Sequence, residues 1–291
     1  MKNNKLLSII GLFILSIIWG GNIPFMKIAL DYSGPAEFIF IRNFFGAVIL
    51  FIILFILKKP ILIKEASQLF ILGLFQTAGF TGFLIWALVE GGASKTIILV
   101  FTMPLWVSLM AWPFLEEKLS SRQWLSTGIC FLGIGIVFNP FNMGNNILSF
   151  TLALASGFSW ACGIILSKRI NIKYPKLDLL TMTAWQMLWG SIPLIVILFF
   201  VTSEPILWSG NFISIIIFNI IFVNAIAYLL WFFALKHLKA SIVSMLALLT
   251  PILGCISAWL FLNEIPNRIE LLGYITILLG LFTLLFYKKS I

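Results

Sequence analysis

The sequence predicts an all-α integral membrane protein whose ten transmembrane helices form two inverted five-helix repeats. Three observations predict it. Of 291 residues, 61% are hydrophobic and 10% are charged, against about half and about a quarter in a water-soluble domain. The apolar residues gather in long runs, and a helix crossing about 30 Å of hydrocarbon needs roughly 20 of them. Finally, marker residues of the first half recur in the same order in the second.

Runs bounded by charge or by Pro, Gly and Asn clusters cover 6–29, 36–57, 67–89, 94–115 and 122–138,. After the turn-rich, uncharged stretch 139–146 come 147–167, 179–201, 211–235, 240–262 and 269–287. The halves are therefore 1–142 and 143–291. The first run follows Lys2 and Lys5, as a secretory signal would. Its apolar stretch continues through Trp19 and Pro24 with no small-residue cleavage pattern, so it reads as a retained helix,.

Orientation follows from the excess of Lys and Arg on the cytoplasmic side. With the N-terminus inside, the inner segments hold Lys58, Lys59, Lys64, Lys118, Arg122, Lys168, Arg169, Lys173, Lys176, Lys236, Lys239, Lys288 and Lys289, whereas the outer loops hold Lys95 and Arg268. Both termini are placed in the cytoplasm, with a bacterial inner membrane as the expected location. The same loops account for the net charge of +9. Anionic lipid headgroups, not nucleic acid, are its expected neighbours.

Cys130, Cys162 and Cys255 all fall inside spans, so no disulfide framework is implied,. The single histidine, His237, reads as a solvated loop residue. No metal, phosphate-loop or nucleophile motif occurs, so no cofactor is expected. A membrane-embedded enzyme would need paired catalytic groups at one depth, and the spans offer none.

At offsets of 141 to 147 positions, Trp19 and Lys27 fall opposite Trp160 and Lys168, and Arg42 and Phe45-Gly46 opposite Gln186 and Trp189-Gly190. Ala93-Ser94 then matches Ala240-Ser241, Pro104 matches Pro251, Glu117 matches Glu264, and Gly133 matches Gly280. Five crossings per half force the second copy to enter from the opposite side. Such halves place a site between them near the midplane with two alternative openings, which points to transport. One chain encodes both sides of that pathway, so a monomer suffices; a dimer is compatible with this.

The segments Trp19-Gly20-Gly21-Asn22 through Lys27-Ile28-Ala29-Leu30 and Phe40-Ile41-Arg42-Asn43-Phe44 resemble the opening of EamA-type members of the drug/metabolite transporter superfamily. So does Glu116-Glu117-Lys118-Leu119 through Trp124, leading into Gly133-Ile134-Gly135, with its echo Asn263-Glu264-Ile265-Pro266 leading into Gly273 and Gly280. The resemblance implies the ten-helix inverted-repeat fold and the export or exchange of small metabolites such as amino acids. A flippase for a lipid-linked headgroup, or a carrier of another small metabolite such as a nucleoside-like cofactor, shares this architecture.

Charges within spans cost about 2.5 to 3.5 kcal/mol at mid-depth, so they mark interior surface. Lys27 and Arg42 are expected at the outer mouth, with snorkelling of Lys27 and pairing of Arg42 with Glu37 as the alternatives. Arg42 is the better anion binder because its planar fork grips a carboxylate through two hydrogen bonds. Gln76 and Phe80 share a stripe of the third span, and Asn224 and Tyr228 lie at i, i+4 on the eighth; each reads equally as cavity lining or helix glue. Trp19 and Trp160, too deep for an interfacial belt, are candidates to flank a flat substrate. Asn22 beside Gly20 and Gly21, with Pro24 one turn on, marks a possible kink in the first helix. Thr102 with Pro104 and Thr250 with Pro251 predict breaks in the fourth and ninth, with threonine hydroxyls satisfying freed carbonyls. No carboxylate sits mid-span, which favours facilitated diffusion or exchange over proton coupling.

Overall fold

A computed structural model describes residues 2–116, 118–138, 147–200 and 204–285. Glu117, the stretch 139–146 and the terminal Lys288 and Lys289 lie outside the described residues. Among those described, the chain is helical and contains no strand. Eight helices are long and apolar enough to cross a membrane. They are α1 (Lys2–Ala29), α2 (Pro35–Ile56), α3 (Ala66–Glu90), α4 (Ala93–Leu115), α6 (Ile147–Lys173), α7 (Leu179–Leu198), α8 (Gly210–His237) and α9 (Ala240–Leu262). Two further helices, α5 (Ser121–Phe138) and α10 (Arg268–Leu285), carry charges in their first turns and pack on each other. Large apolar side chains such as Phe13, Phe55, Phe199 and Phe282 cover the outside of the bundle, as a lipid-facing surface requires,.

Helix ends differ from the sequence reading where a long-range partner satisfies them. The run expected to stop at residue 167 continues to Lys173, because the Lys168 ammonium reaches the carbonyls of Leu235 (2.7 Å) and Leu238 (2.5 Å) at the end of α8. His237, expected in a loop, is the last residue of α8, its Nδ1 2.8 Å from the Phe233 carbonyl oxygen. At the start of α7, the Asp178 carboxylate accepts from the Leu180 and Thr181 N–H groups and pairs with Lys59 at 2.7 Å. Burial pushes this carboxyl up, but the Lys59 bond and the two N–H groups outweigh it and hold it below its ordinary value,.

Helix α1 runs unbroken through Pro24. Proline lacks the N–H that would bond the carbonyl four residues back, which is Gly20. The Ser257 hydroxyl of α9 donates to that carbonyl at 2.7 Å, so the helix keeps its course without an unpaired group. Gly20 also permits the contact itself, since a Cβ there would lie 2.9 Å from the Thr250 carbonyl oxygen. Ser257→Ala should therefore cost about 1 kcal/mol in detergent thermal unfolding, and close to nothing in a Pro24→Ala background, where the restored N–H takes over. Equal losses in both backgrounds would contradict this account.

Several features recur at the spacing found in the sequence. Helix α3 contains a π-helical turn at Leu74–Gly79, and α8 contains one at Asn219–Ile226. Helices α4 and α9 break just before Pro104 and Pro251, at 101–102 and 247–248. The same two helices end on residues in the left-handed region, Glu116 (φ 56°) and Asn263 (φ 55°). The Lys27 ammonium bonds the carbonyls of Leu88 and Gly91 at the end of α3, as Lys168 does at the end of α8.

Candidate functional site

The largest buried side chains converge where α1, α3, α6 and α8 meet. Trp19 packs against Trp160, Tyr228 and Trp231 with ring centroids 5.4, 5.6 and 5.6 Å away. Trp160 is further contacted by Trp231 (5.1 Å), Phe80 (4.6 Å) and Phe101 (5.2 Å). Three of these six contacts are edge-to-face, as ring quadrupoles favour, and three are tilted,.

Beside this cluster lies a cavity of about 30 Å³ lined by Trp19, Asn22, Arg42, Phe80, Trp160 and Tyr228, with Met26, Thr81, Phe101 and Thr250. Side chains of both halves meet there. That volume is room for a water molecule or two, well short of the several hundred Å³ of a typical small-molecule pocket. The conformation is thus closed around the site.

Among the described residues Arg42 is the only cation lining this cavity, and it is 3% exposed. It is neither at an open mouth nor paired with Glu37. Its Nη2 donates to Asn224 Oδ1 (3.1 Å), its Nη1 to the Met26 sulfur (2.9 Å), and its guanidinium stands over the Phe38 ring at 5.7 Å. Its Nε has no partner, and among the described residues it forms no ion pair. A thioether is a weak acceptor. One amide oxygen is therefore the only good acceptor for five donors.

A layer of amides supports Arg42 from behind. Asn224 Nδ2 donates to the Arg42 carbonyl (2.5 Å) and to Asn43 Oδ1 (3.3 Å), and Asn43 Nδ2 donates to Thr81 Oγ1 (3.1 Å). One turn from Thr81, the Thr77 hydroxyl donates to Gln186 Oε1 (2.8 Å). Thr77 and Gln186 are the sequence counterparts of Asn224 and Arg42, at offsets of 147 and 144. Asn22 and Asn219 bond each other reciprocally at 2.9 and 3.1 Å, joining α1 to α8.

The π-helical turns contribute directly. Bonding to the fifth residue loosens the helical ladder, and one carbonyl in each turn accepts a side chain of the cavity. Val223 receives Trp19 Nε1 (3.1 Å), and Gln76 receives the Tyr228 hydroxyl (3.1 Å).

The structure thus gathers six of the sequence candidates, Trp19, Asn22, Arg42, Phe80, Trp160 and Tyr228, around one cavity. Three others lie elsewhere. Gln76 and Asn224 stand one layer back, the Gln76 side chain lying against Gly163. Lys27 neither snorkels nor faces the cavity: its ammonium holds the last carbonyls of α3. Gly20 and Pro24 sit in a continuous helix, whereas Pro104 and Pro251 follow real breaks. The Thr102 and Thr250 hydroxyls, expected to satisfy the freed carbonyls there, have no partner. Glu264 accepts from the Ala93 and Ser94 N–H groups (3.1 and 3.0 Å) and so caps α4,.

The sequence reading missed Met26, Thr81 and Asn219, and did not place Trp231 in the central cluster. Asn219 and Trp231 carried a signal, since both share the eighth span with Asn224 and Tyr228. Met26 carried none.

Residues 6–139 and 147–286 each match the EamA-like transporter family. The chain is 27% identical to the uncharacterized transporter YoaV of Bacillus subtilis, covering 97% of this chain and 98% of that one. It is 26% identical to a probable amino-acid metabolite efflux pump of Escherichia coli, covering 94% of each. A solved crystal structure matches 98% of this chain and 96% of its own with a TM-score of 0.78 at 13% identity, a likeness of fold.

Proposed function

This chain belongs to the EamA-like transporter family of the drug/metabolite transporter superfamily, and on that premise we propose that it exports or exchanges small metabolites bearing an anionic group, amino acids or related amphipathic compounds, by alternating access. It is an integral membrane transporter, not an enzyme. The observation that carries the substrate reading is Arg42, a buried cation beside aromatic walls with no counter-ion among the described residues. Burying an unpaired charge is costly, and an anionic substrate group offsets that cost only when it is bound.

In this reading α5 and α10 complete ten crossings, and the halves 1–142 and 143–291 are inverted copies. The paired π-helical turns, the breaks before Pro104 and Pro251, and the matching bonds of Lys27 and Lys168 support that relation. The excess of Lys and Arg in the segments assigned inside supports cytoplasmic termini in a bacterial inner membrane,. Closure around Arg42 is then the occluded step of a cycle in which the halves open in turn.

The test is uptake into sealed proteoliposomes across a panel of labelled amino acids and related carboxylates. The expected result is saturable uptake of a compound with an anionic group, with little response to an imposed proton gradient. Saturable uptake confined to cations, or flux that rises steeply with the proton gradient, would overturn the reading.

A further inference from the structure

Resting on the anionic-group part of that reading, and narrowing it away from amino acids to related carboxylates, we infer that the cavity selects net organic anions over zwitterions: carboxylates with a flat apolar body and no free ammonium group. The inference comes from counting what the cavity wall offers a ligand. Three groups carry unpartnered polar hydrogens, namely Arg42 through Nε, Trp160 through Nε1 and Thr250 through Oγ1. All three residues line the cavity and are at most 3% exposed. Arg42 also spends Nη1 on a thioether that a carboxylate oxygen would outcompete,.

Acceptors are scarce by the same count. Among the described residues no carboxylate lines the cavity. Asn22 Oδ1 receives Asn219 (2.9 Å), Thr81 Oγ1 receives Asn43 (3.1 Å), and the Val223 carbonyl receives Trp19 (3.1 Å). The Tyr228 hydroxyl is turned onto the Gln76 carbonyl at 3.1 Å. The Thr250 hydroxyl and the second lone pairs of these oxygens are left to accept, all of them neutral, against the three donors of an ammonium group,.

Ring faces are the other way to hold an ammonium. Trp160, the ring at the centre, is already surrounded, since four rings, those of Trp19, Phe80, Phe101 and Trp231, pack on it. An α-ammonium entering this space would meet the Arg42 cation and give up its water for neutral oxygens alone, with no carboxylate to pair it, which is unfavourable,. A carboxylate without it meets three waiting donors.

Calorimetric titration of the purified full-length protein in detergent at pH 7 tests this with paired ligands that differ only in the ammonium group. Suitable pairs are 3-phenylpropionate with phenylalanine, and 4-methylpentanoate with leucine. The expected result is at least tenfold tighter binding of the carboxylate-only member of each pair, lost in Arg42→Met. Amino acids that bind as tightly as their partners, still dependent on Arg42, would overturn the selectivity and leave the site reading standing. Binding by neither member of any pair, or binding unaffected by Arg42→Met, would overturn both.

Discussion

Arg42→Met is expected to cut substrate flux to below a tenth of wild type while leaving the protein as stable as before or more so. The two effects have one cause. A charge-assisted hydrogen bond to a substrate carboxylate contributes about 1.5 to 3 kcal/mol, so its loss weakens binding by about ten- to a hundredfold. In the absence of substrate, the same guanidinium sits 3% exposed with no ion pair, and an apolar side chain of similar length removes that desolvation cost,. Proteoliposome flux and the melting temperature in detergent, read on one preparation, check both halves. A structural arginine gives the opposite pairing: lower melting with flux falling only in proportion to folded protein.

The second large effect is expected at the crossing of α3 and α7. A Cβ on Gly190 would lie 2.5 Å from the Gly73 carbonyl oxygen, and one on Gly73 would lie 2.7 Å from the Gly190 nitrogen. Backbone meets backbone there, so no side chain can rotate away. Close approach through small residues is the main source of helix association in lipid, where no hydrophobic force draws helices together. Gly190→Leu should cost about 3 kcal/mol or more and abolish a monodisperse peak in size-exclusion chromatography. Gly135→Leu, at a position where a Cβ meets nothing within 4 Å, should elute and melt as wild type does. Similar behaviour of the two variants would mean that the crossing does not hold the bundle together.

Much of the fold was legible because lipid imposes a coarse rule. Apolar runs of sufficient length appear as helices within a few residues of their expected ends. The breaks before Pro104 and Pro251 followed from the missing N–H of proline, a strictly local property. Arg42 stood out as a candidate because a charge deep in a span is expensive unless it faces an interior, and Trp19 and Trp160 because they lie too deep for an interfacial belt.

The remainder depended on partners distant in sequence. Lys27 is indistinguishable from a snorkelling lysine until the end of α3 is known to lie beside it, 61 residues on. Nothing in the sequence of Leu74–Gly79 or Asn219–Ile226 announces a π-helical turn. The carbonyls that serve Tyr228 and Trp19 were therefore hidden. For Asn224 and Gln76 the sequence left cavity lining and helix glue equally open, because whether an amide lines a cavity or backs the residue that does is decided by side-chain packing alone.

The central claim is that Arg42 belongs to a binding site reached from one side of the membrane at a time. Counterflow tests it most directly. Proteoliposomes loaded with unlabelled substrate are diluted into a trace of labelled substrate, and internal label is followed with time. Alternating access predicts a transient overshoot above the equilibrium level in wild type, absent in Arg42→Met. Label that enters without overshoot, at a rate linear in concentration and indifferent to substrate inside, would contradict the account.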